Sequence, residues 1–346
     1  MPRPPKERVE ALAQAVLALR DETEFRSFWL GTRLKGPIEQ REAEELKRAC
    51  NRAVCLRLLE LCPDLEPKLE EPDAVITLHY TEAAATIRPK PLLLYGRYLK
   101  FSREMPQSRW HCRRCRGRGC EICGGTGRRF TETVQEMVAA PILDVCRGAD
   151  SKMHSVGRED VDARMLGNGR PFVIELTEPR VRTINVPELQ AEINAAHSGK
   201  IEIRELQPAD RALTRQVDTI SPDKSYRASV ACLSAVAPER LQRLDRLRGI
   251  EIAQETPRRV LHRRANRVRK RAIISLNIEN IRRSDTGKAA AFDLLLRVES
   301  GTYIKEFVSG DEGRTVPSVA QILGAPCECD ELDVLEIHCD PLLERP

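Results

Sequence analysis

Between Gly157 and Phe172 the chain sets two carboxylates, Asp160 and Asp162, and three arginines, Arg158, Arg164 and Arg170, among glycines. The mostly apolar run Phe172 to Leu176 follows. Arginine offers planar, paired donors to a phosphate, and glycine lets backbone approach a ligand closely. Such a loop suits one ionised carboxylate held beside a phosphate-bearing substrate. The competing reading is a charged surface loop that leads into a strand. A second segment, Ser300-Gly301-Thr302-Tyr303-Ile304-Lys305, follows the strand-like run Phe292 to Val298 and opens a helix whose first turn aims Lys305 inward. Lys224-Ser225-Tyr226-Arg227, at the start of a strand, is the third candidate. Taken singly, Lys305 reads as a capping or solubilising residue and Tyr226 as an ordinary strand tyrosine.

Cys112, Cys115, Cys120 and Cys123 form two Cys-x-x-Cys pairs in tandem. Each pair can grip one metal from a tight turn, and Gly117, Gly119, Gly125 and Gly127 supply the backbone angles such turns need. Four thiolates around Zn²⁺ make a closed structural site with no position left for water. Nearby basic residues favour the thiolate form. A redox pair or disulfide is the alternative, and an intracellular setting weighs against it. His111 is adjacent but surplus. The segment also matches, twice, the Cys-x-x-Cys-x-Gly-x-Gly repeat of DnaJ-type chaperones. Those carry four repeats and a His-Pro-Asp motif that this sequence lacks, so the match reads as shared turn chemistry.

The elements that must position these residues fall into two parts. Residues 1 to about 64 read as helical, from the apolar spacing in Val9 to Leu19 and Ile38 to Leu61. Cys50, Cys55 and Cys62 there read as small core residues. Short strands follow at Val75–Leu78, Ala85–Ile87 and Leu92–Tyr95. The expected organisation is a small α+β domain over 1–130, closed by the cysteine knuckle, a connecting segment over 131–151 and a second domain over 152–346. In the second, strands are expected at Phe172–Leu176, Ile201–Ile203, Tyr226–Leu233, Ile273–Ile281, Ala291–Val298 and Leu332–His338. Helices are expected at Pro187–Ala196, Pro238–Leu247, Tyr303–Phe307 and Val316–Leu323. That pattern predicts an α+β fold, one mixed or antiparallel sheet flanked by helices.

Composition narrows the function classes. The chain has 346 residues, is 41% apolar and carries a net charge of +5. No apolar run approaches the ~20 residues of a membrane span, and Met1 to Arg8 lacks the apolar core of a secretory signal. The reading is a soluble, cytoplasmic protein. Charge is concentrated in two places. Arg258 to Arg271 holds eight basic residues, Arg263 and Arg264 among them, and no acidic one. Arginines from Arg103 to Arg129 surround the cysteines. Two such patches point to a polyanionic partner. Aromatic residues are only 4% of the chain, which argues against a broad base-stacking platform.

At this point the sequence resembles a known family. Gly157-Arg158-Glu159-Asp160 is similar to the Gly-Arg-x-Asp motif of pseudouridine synthases, and Gly301-Thr302-Tyr303-Ile304-Lys305 to their Gly-Thr-Tyr-Ile-Arg motif. Longer strings, Gly157 to Phe172, Pro106 to Cys112 and Ile304 to Thr315, resemble the archaeal and eukaryotic Pus-ten family of tRNA pseudouridine synthases, over roughly residues 70 to 340. The first 70 residues resemble part of a THUMP-containing RNA-binding domain. The resemblance implies an isomerase that converts uridine 55, and in archaeal members uridine 54, of the tRNA T-arm, without an organic or nucleotide cofactor. It implies Asp160 as the catalytic aspartate, acting as nucleophile or base on the ribose, Tyr226 stacking on the base and helping to remove the C5 proton, and Lys305 pairing with Asp160. Asp162 is the competing nucleophile. Arg158, Tyr226, Arg263, Arg264, Tyr303 and Arg314 are the expected substrate contacts. Members often carry a further Cys-x-x-Cys near the N-terminus that this sequence lacks. Either the chain is short at that end, or the metal uses the four local cysteines alone. The alternative function is a non-catalytic, zinc-containing RNA-binding protein.

Overall fold

In its first ninety-odd residues the chain alternates helix and strand in a pattern that closes a small core of its own. The computed structural model describes residues 3–262 and 264–339; Arg263, one of the expected substrate contacts, lies outside them. Here α1 (Lys6–Glu22), β1 (Ser27–Arg33), α2 (Gln40–Leu61), β2 (Glu66–Pro67), β3 (Ala74–His79) and β4 (Ala84–Pro89) follow in order. The sheet runs β2-β1-β3-β4, with β1 parallel to both neighbours and β4 antiparallel to β3. Helical spacing in α2 buries Cys50, Val54 and Leu58 on one face. Strict alternation in β3 buries Ala74, Ile76 and Leu78. Cys55 and Cys62 pack against the same cluster, as small core residues.

The remaining elements are β5 (Leu92–Lys100), α3 (Val134–Cys146), β6 (Asp150–Ser155), β7 (Ala163–Thr177), α4 (Val186–Ala196), β8 (Ile201–Pro208), α5 (Arg211–Thr219), β9 (Lys224–Val236), α6 (Pro238–Leu241), β10 (Ile250–Glu255), β11 (Val268–Arg283), β12 (Ala289–Val298), α7 (Ile304–Ser309), β13 (Thr315–Val316), α8 (Val319–Leu323) and β14 (Cys327–Ile337). A large mixed sheet runs β13-β10-β11-β12-β9-β14-β7-β5-β8. Its centre is antiparallel, with Leu276 opposite Leu296, Leu296 opposite Tyr226 and Tyr226 opposite Val334. Only the β14–β7 pair within that centre is parallel, with Leu332 opposite Ala163. Phe292, Leu294 and Leu296 are buried beneath Leu244, Leu247, Phe307, Val308, Val319 and Leu323. Each such side chain contributes about 1.5–3 kcal/mol by leaving water. Among the described residues, no helix is long and apolar enough to cross a membrane.

Several elements differ from expectation. The N-terminal 64 residues are not all helical: β1 interrupts them, a seven-residue strand whose Gly31 and exposed Trp29 hide its alternation. The helix α5 and the strand β10 were not anticipated. Asp210 caps α5 by accepting from the Leu213 N–H at 2.7 Å, and β10 buries Ile252 and Gln254, a polar residue. The stretch expected as one helix over Pro238–Leu247 becomes a short α turn and a 3₁₀ turn.

The domain boundary also moves. The first compact unit comprises residues 1–94, 138–153 and 174–189, and the second 95–137, 154–173 and 190–346. The cysteine segment therefore belongs to the second unit, not to a first domain ending at 130. Backbone bonds tie it there: Val134 N–H to Pro106 O at 3.2 Å and Gln135 N–H to Gln107 O at 2.9 Å. Composition could not show a division that falls inside β5, α3 and β7.

Candidate active site

Residues 157–162 enter β7 at the edge it shares with β14, and buried side chains hold them from beneath. Arg170, 1% exposed, donates from Nε to Glu159 at 2.9 Å and from Nη1 to the Val156 carbonyl at 2.5 Å. The Tyr98 hydroxyl donates to Glu159 at 2.9 Å and accepts from Gln107 at 2.7 Å. Burial and the Glu159 charge push that hydroxyl well above its ordinary value, so it remains a donor. Gln107 also donates to the Gly157 carbonyl at 3.3 Å. Lys100, fully buried, donates to the carbonyls of Val161 at 2.8 Å, Met105 at 2.9 Å and Asp160 at 3.3 Å. Gly157 has φ +73°, and a Cβ there would sit 3.2 Å from Arg170 Nη1. Downstream, Gly167 (φ +59°) would put a Cβ 1.7 Å from the Leu335 carbonyl, so only glycine fits against β14.

This frame presents Asp160 half-exposed, and its cation is Arg259. Arg259 Nη1 lies 3.1 Å from the Asp160 carboxylate, and its Nε lies 2.6 Å from buried Glu306. Burial works against the Arg259 charge, but Glu306 and Asp160 together raise its pKa further. Lys305 does not pair with Asp160 as expected. Its ammonium lies 2.5 Å from Asp162. The physical reason is local: α7 is anchored by Glu306 on Arg259, and that leaves Lys305, one residue earlier, facing the next carboxylate along the loop. Burial alone would raise the Asp162 carboxyl, but the Lys305 hydrogen bond and charge hold it below the usual range.

Tyr226 belongs to the same group. It stands opposite Val334 on β14, and Val334 stands opposite Met165 on β7. Two strand spacings, about 10 Å, thus separate its backbone from the strand that Asp160 precedes. Burial first, with the charges of Asp160 and Glu159 adding, pushes its hydroxyl up to about 12. Asp160, Tyr226, Arg259 and, through Asp162, Lys305 are therefore brought together. The arrangement sets one carboxylate, flanked by a guanidinium, beside a neutral phenol ring at the end of a sheet.

The expected substrate contacts separate into two kinds. Arg158 is exposed, with its guanidinium 5.6 Å from the centre of the Trp110 ring. Arg264 donates to the Tyr303 hydroxyl at 2.9 Å, and buried Gln254 brackets the Tyr303 backbone through bonds of 2.9 and 3.0 Å. Arg314 faces inward instead. It holds Glu255 at 2.9 Å, the Thr256 carbonyl at 2.9 Å and Asn266 at 2.7 Å, and so braces the loop that carries Arg259.

The four cysteine sulfurs lie within 4.8 Å of one another, with neighbouring pairs at 3.7, 3.8 and 3.9 Å. A tetrahedron of Zn–S bonds of about 2.3 Å requires sulfurs roughly 3.8 Å apart. The group fits a structural metal ion. The turns also point N–H groups at the sulfurs, from Gly119 to Cys115 and from Gly127 to Cys123, each at 3.2 Å. Gly127 is obligatory, because a Cβ there would lie 2.3 Å from the Gly117 carbonyl. His111 is exposed and lies outside the cluster.

Sequence reasoning missed Arg259, Glu306 and the Lys100–Tyr98–Gln107–Glu159–Arg170 network. Arg259 was visible only as one of eight basic residues in a run. Glu306 was readable in the motif string, but its partner lies 47 residues away.

The fold and site together define an α+β protein whose mixed sheet presents a cation-held carboxylate at one end, beside a four-cysteine turn. Comparison with known proteins makes the class specific. The family model described as Pus10, C-terminal, matches residues 93–338. The tRNA pseudouridine synthase Pus10 of Methanothrix thermoacetophila is 39% identical over 96% of this chain and 74% of its own length. That of Archaeoglobus fulgidus is 37% identical over 96% of this chain and 92% of its own length. Among solved structures, a chain of a Cbf5-Nop10-Gar1 complex aligns with 69% of this chain and 47% of that one, about half its length. Its identity is 17% and its TM-score 0.37, too distant to carry an argument. The chain belongs to the Pus10 family.

Proposed function

We propose that this chain is a tRNA pseudouridine synthase that isomerises uridine 55, and uridine 54, in the T-arm, with Asp160 as its catalytic aspartate. The observation that carries the reading is the Asp160 carboxylate, half-exposed on a loop fixed from below and paired with Arg259 at 3.1 Å. A uridine in folded RNA must leave its stack to reach such a group. Asp160 then acts on the ribose as nucleophile or base. The N1–C1′ bond breaks, the uracil turns, C5 bonds to C1′, the C5 proton leaves and N1 gains one. The atoms balance without a redox or organic cofactor.

Tyr226 is a neutral phenol at pH 7, with its hydroxyl pushed up to about 12. Its ring offers a stacking surface for the uracil. It accepts the C5 proton only by passing its own proton on. Lys305 serves Asp162, and Arg259 is the positioning cation for Asp160. We assign Arg264 and Tyr303, which share a 2.9 Å hydrogen bond, to hold the extruded nucleotide, and Arg314 to act through the loop it braces. We assign zinc to Cys112, Cys115, Cys120 and Cys123, a THUMP-like RNA-binding role to the N-terminal unit, and the cytoplasm as the place of work.

The test is to incubate the purified chain with an unmodified tRNA transcript and map pseudouridine chemically. The wild type should modify the T-arm at 55 and 54, and Asp160→Ala should modify neither. Binding without any modification would leave a non-catalytic RNA-binding protein.

A further inference from the structure

Two basic segments far apart in sequence meet at one cleft. Trp110, His111, Arg113 and Arg129 come from the cysteine turn, Arg158 from the Asp160 loop and His262 from the loop after β10, and they line an open cleft of about 280 Å³. No carboxylate is among the lining residues. Two guanidiniums rest on the indole, Arg129 at 5.2 Å and Arg158 at 5.6 Å from its centre. Phe130 meets the same indole edge-on at 5.5 Å.

Stacking on an aromatic ring orients a guanidinium without neutralising it, and leaves its N–H edges free to donate. Four other arginines near the site are different. Arg164, Arg170, Arg259 and Arg314 each have a carboxylate partner. Among the described residues, Arg113, Arg129 and Arg158 have none. Three uncompensated cations around one pre-oriented ring form a receptor for an anion that carries several charges along a line. Arg158 stands two residues before Asp160, so the cleft and the Asp160 carboxylate share one loop.

We propose that this cleft holds the RNA backbone phosphates that flank the target uridine, with Arg113, Arg129 and Arg158 as the phosphate donors. The proposal rests on the isomerase reading above and gives the cysteine turn a second role, since it delivers four of the six lining residues. The turn's own bonds set that geometry: Arg129 N–H donates to the Trp110 carbonyl at 2.9 Å and Cys112 N–H to the Gly127 carbonyl at 2.7 Å.

The experiment measures binding of T-arm hairpins to Asp160→Ala protein, so that no turnover intervenes. One hairpin is native, and the others carry a single uncharged methylphosphonate 5′ or 3′ of the target uridine. We expect at least one methylphosphonate to weaken binding about tenfold. That penalty should vanish when Arg113→Ala, Arg129→Ala and Arg158→Ala are added. The same triple change should reduce the slope of log affinity against log salt by about 2, as each released phosphate contact contributes roughly 0.7–0.9. Arg113→Lys, Arg129→Lys and Arg158→Lys together should keep most of the slope, which separates lost charge from lost fold. An unchanged slope in the alanine triple, or a methylphosphonate penalty equal in both proteins, overturns the proposal. Binding of a glutamate-rich peptide as tight as that of the native hairpin would reassign the cleft to a protein partner. A failure of the isomerase reading appears elsewhere, as wild-type protein that binds the native hairpin and forms no pseudouridine.

Discussion

Residues 157–162 and residues 112–127 are both irregular and glycine-bearing, yet they are held by opposite means. The first rests on buried charge. Glu159 and Arg170 are each 1% exposed at the side chain, and Lys100 spans three carbonyls under them. The second has no such buried ion pair among the described residues. Its fixed points are four sulfurs and the N–H groups aimed at them. A carboxylate that must keep one orientation during a reaction gains from a packed, charge-compensated floor. A surface turn that must present arginines to a polyanion needs only local rigidity, which one metal ion can supply without a core.

The contrast can be broken from either side. The largest effect is expected on the buried side. Glu159→Ala leaves the Arg170 charge uncompensated, which should cost about 3–5 kcal/mol. Urea unfolding should report it as a lower midpoint, accompanied by loss of activity. If Glu159→Ala is as stable as the wild type, the floor of the loop is not held by charge. On the other side, Cys120→Ser with Cys123→Ser should abolish binding of one zinc per chain, read by metal analysis. Hydrogen exchange should then rise over residues 112–127 while protection of β9 and β12 persists. Retained zinc would point to other ligands, and a global loss of protection would make the turn part of the core.

Arg259→Gln should lower kcat by roughly 10–100-fold, the scale of a charge-assisted hydrogen bond worth about 1.5–3 kcal/mol. Arg259→Lys should recover part of it, because the charge returns without the fork that bridges Asp160 and Glu306. A rate unchanged in Arg259→Gln would remove its positioning role. Lys305→Ala should cost less, a few-fold, since Lys305 pairs with the neighbouring carboxylate.

A pH dependence of stability should follow from the buried lysines. Burial is the first cause in both cases. It pushes Lys100 down to about 8 despite the nearby carboxylates, and Lys224 down to about 8 with the Arg170 charge adding. An unfolded lysine titrates near 10.4. From about pH 8 to 10 the unfolded chain therefore holds more protons on these two lysines, and they add stability as pH rises. Buried thiols such as Cys329, pushed up to about 12 by burial, act in the opposite direction. Above pH 10 Tyr226, with a raised folded value of about 12, acts in the opposite direction. Urea midpoints at pH 7.5, 8.5 and 9.5 read the slope, and Lys100→Met should flatten it by about half. A pH slope unchanged in Lys100→Met would contradict the burial of that ammonium group.

What could be read from the sequence was local. Cys112, Cys115, Cys120 and Cys123 declare themselves by spacing, because two short turns suffice to bring their sulfurs together. Asp160 and Tyr226 lie in short motifs, and the apolar strands β9 and β12 have enough alternation to be found. The partner of Asp160 was not legible, because Arg259 reaches it from 99 residues away and looks like any other member of a basic run. The buried polar floor was hidden for a similar reason. Lys100, Tyr98 and Gln107 carry no pattern until the sheet places them under the loop. The strand β1 was missed because Gly31 and exposed Trp29 break its apolar signal. The unit boundary was missed because it cuts through regular elements, where composition does not change.

The most direct measurement compares Asp160→Asn with Asp162→Asn in single-turnover reactions on a T-arm transcript. Both changes remove one charge and keep the shape. With Asp160 as the catalytic carboxylate, Asp160→Asn should form no detectable pseudouridine, while Asp162→Asn should retain the reaction at a rate reduced by no more than about tenfold. Normal product from Asp160→Asn, with activity lost in Asp162→Asn, would contradict the assignment.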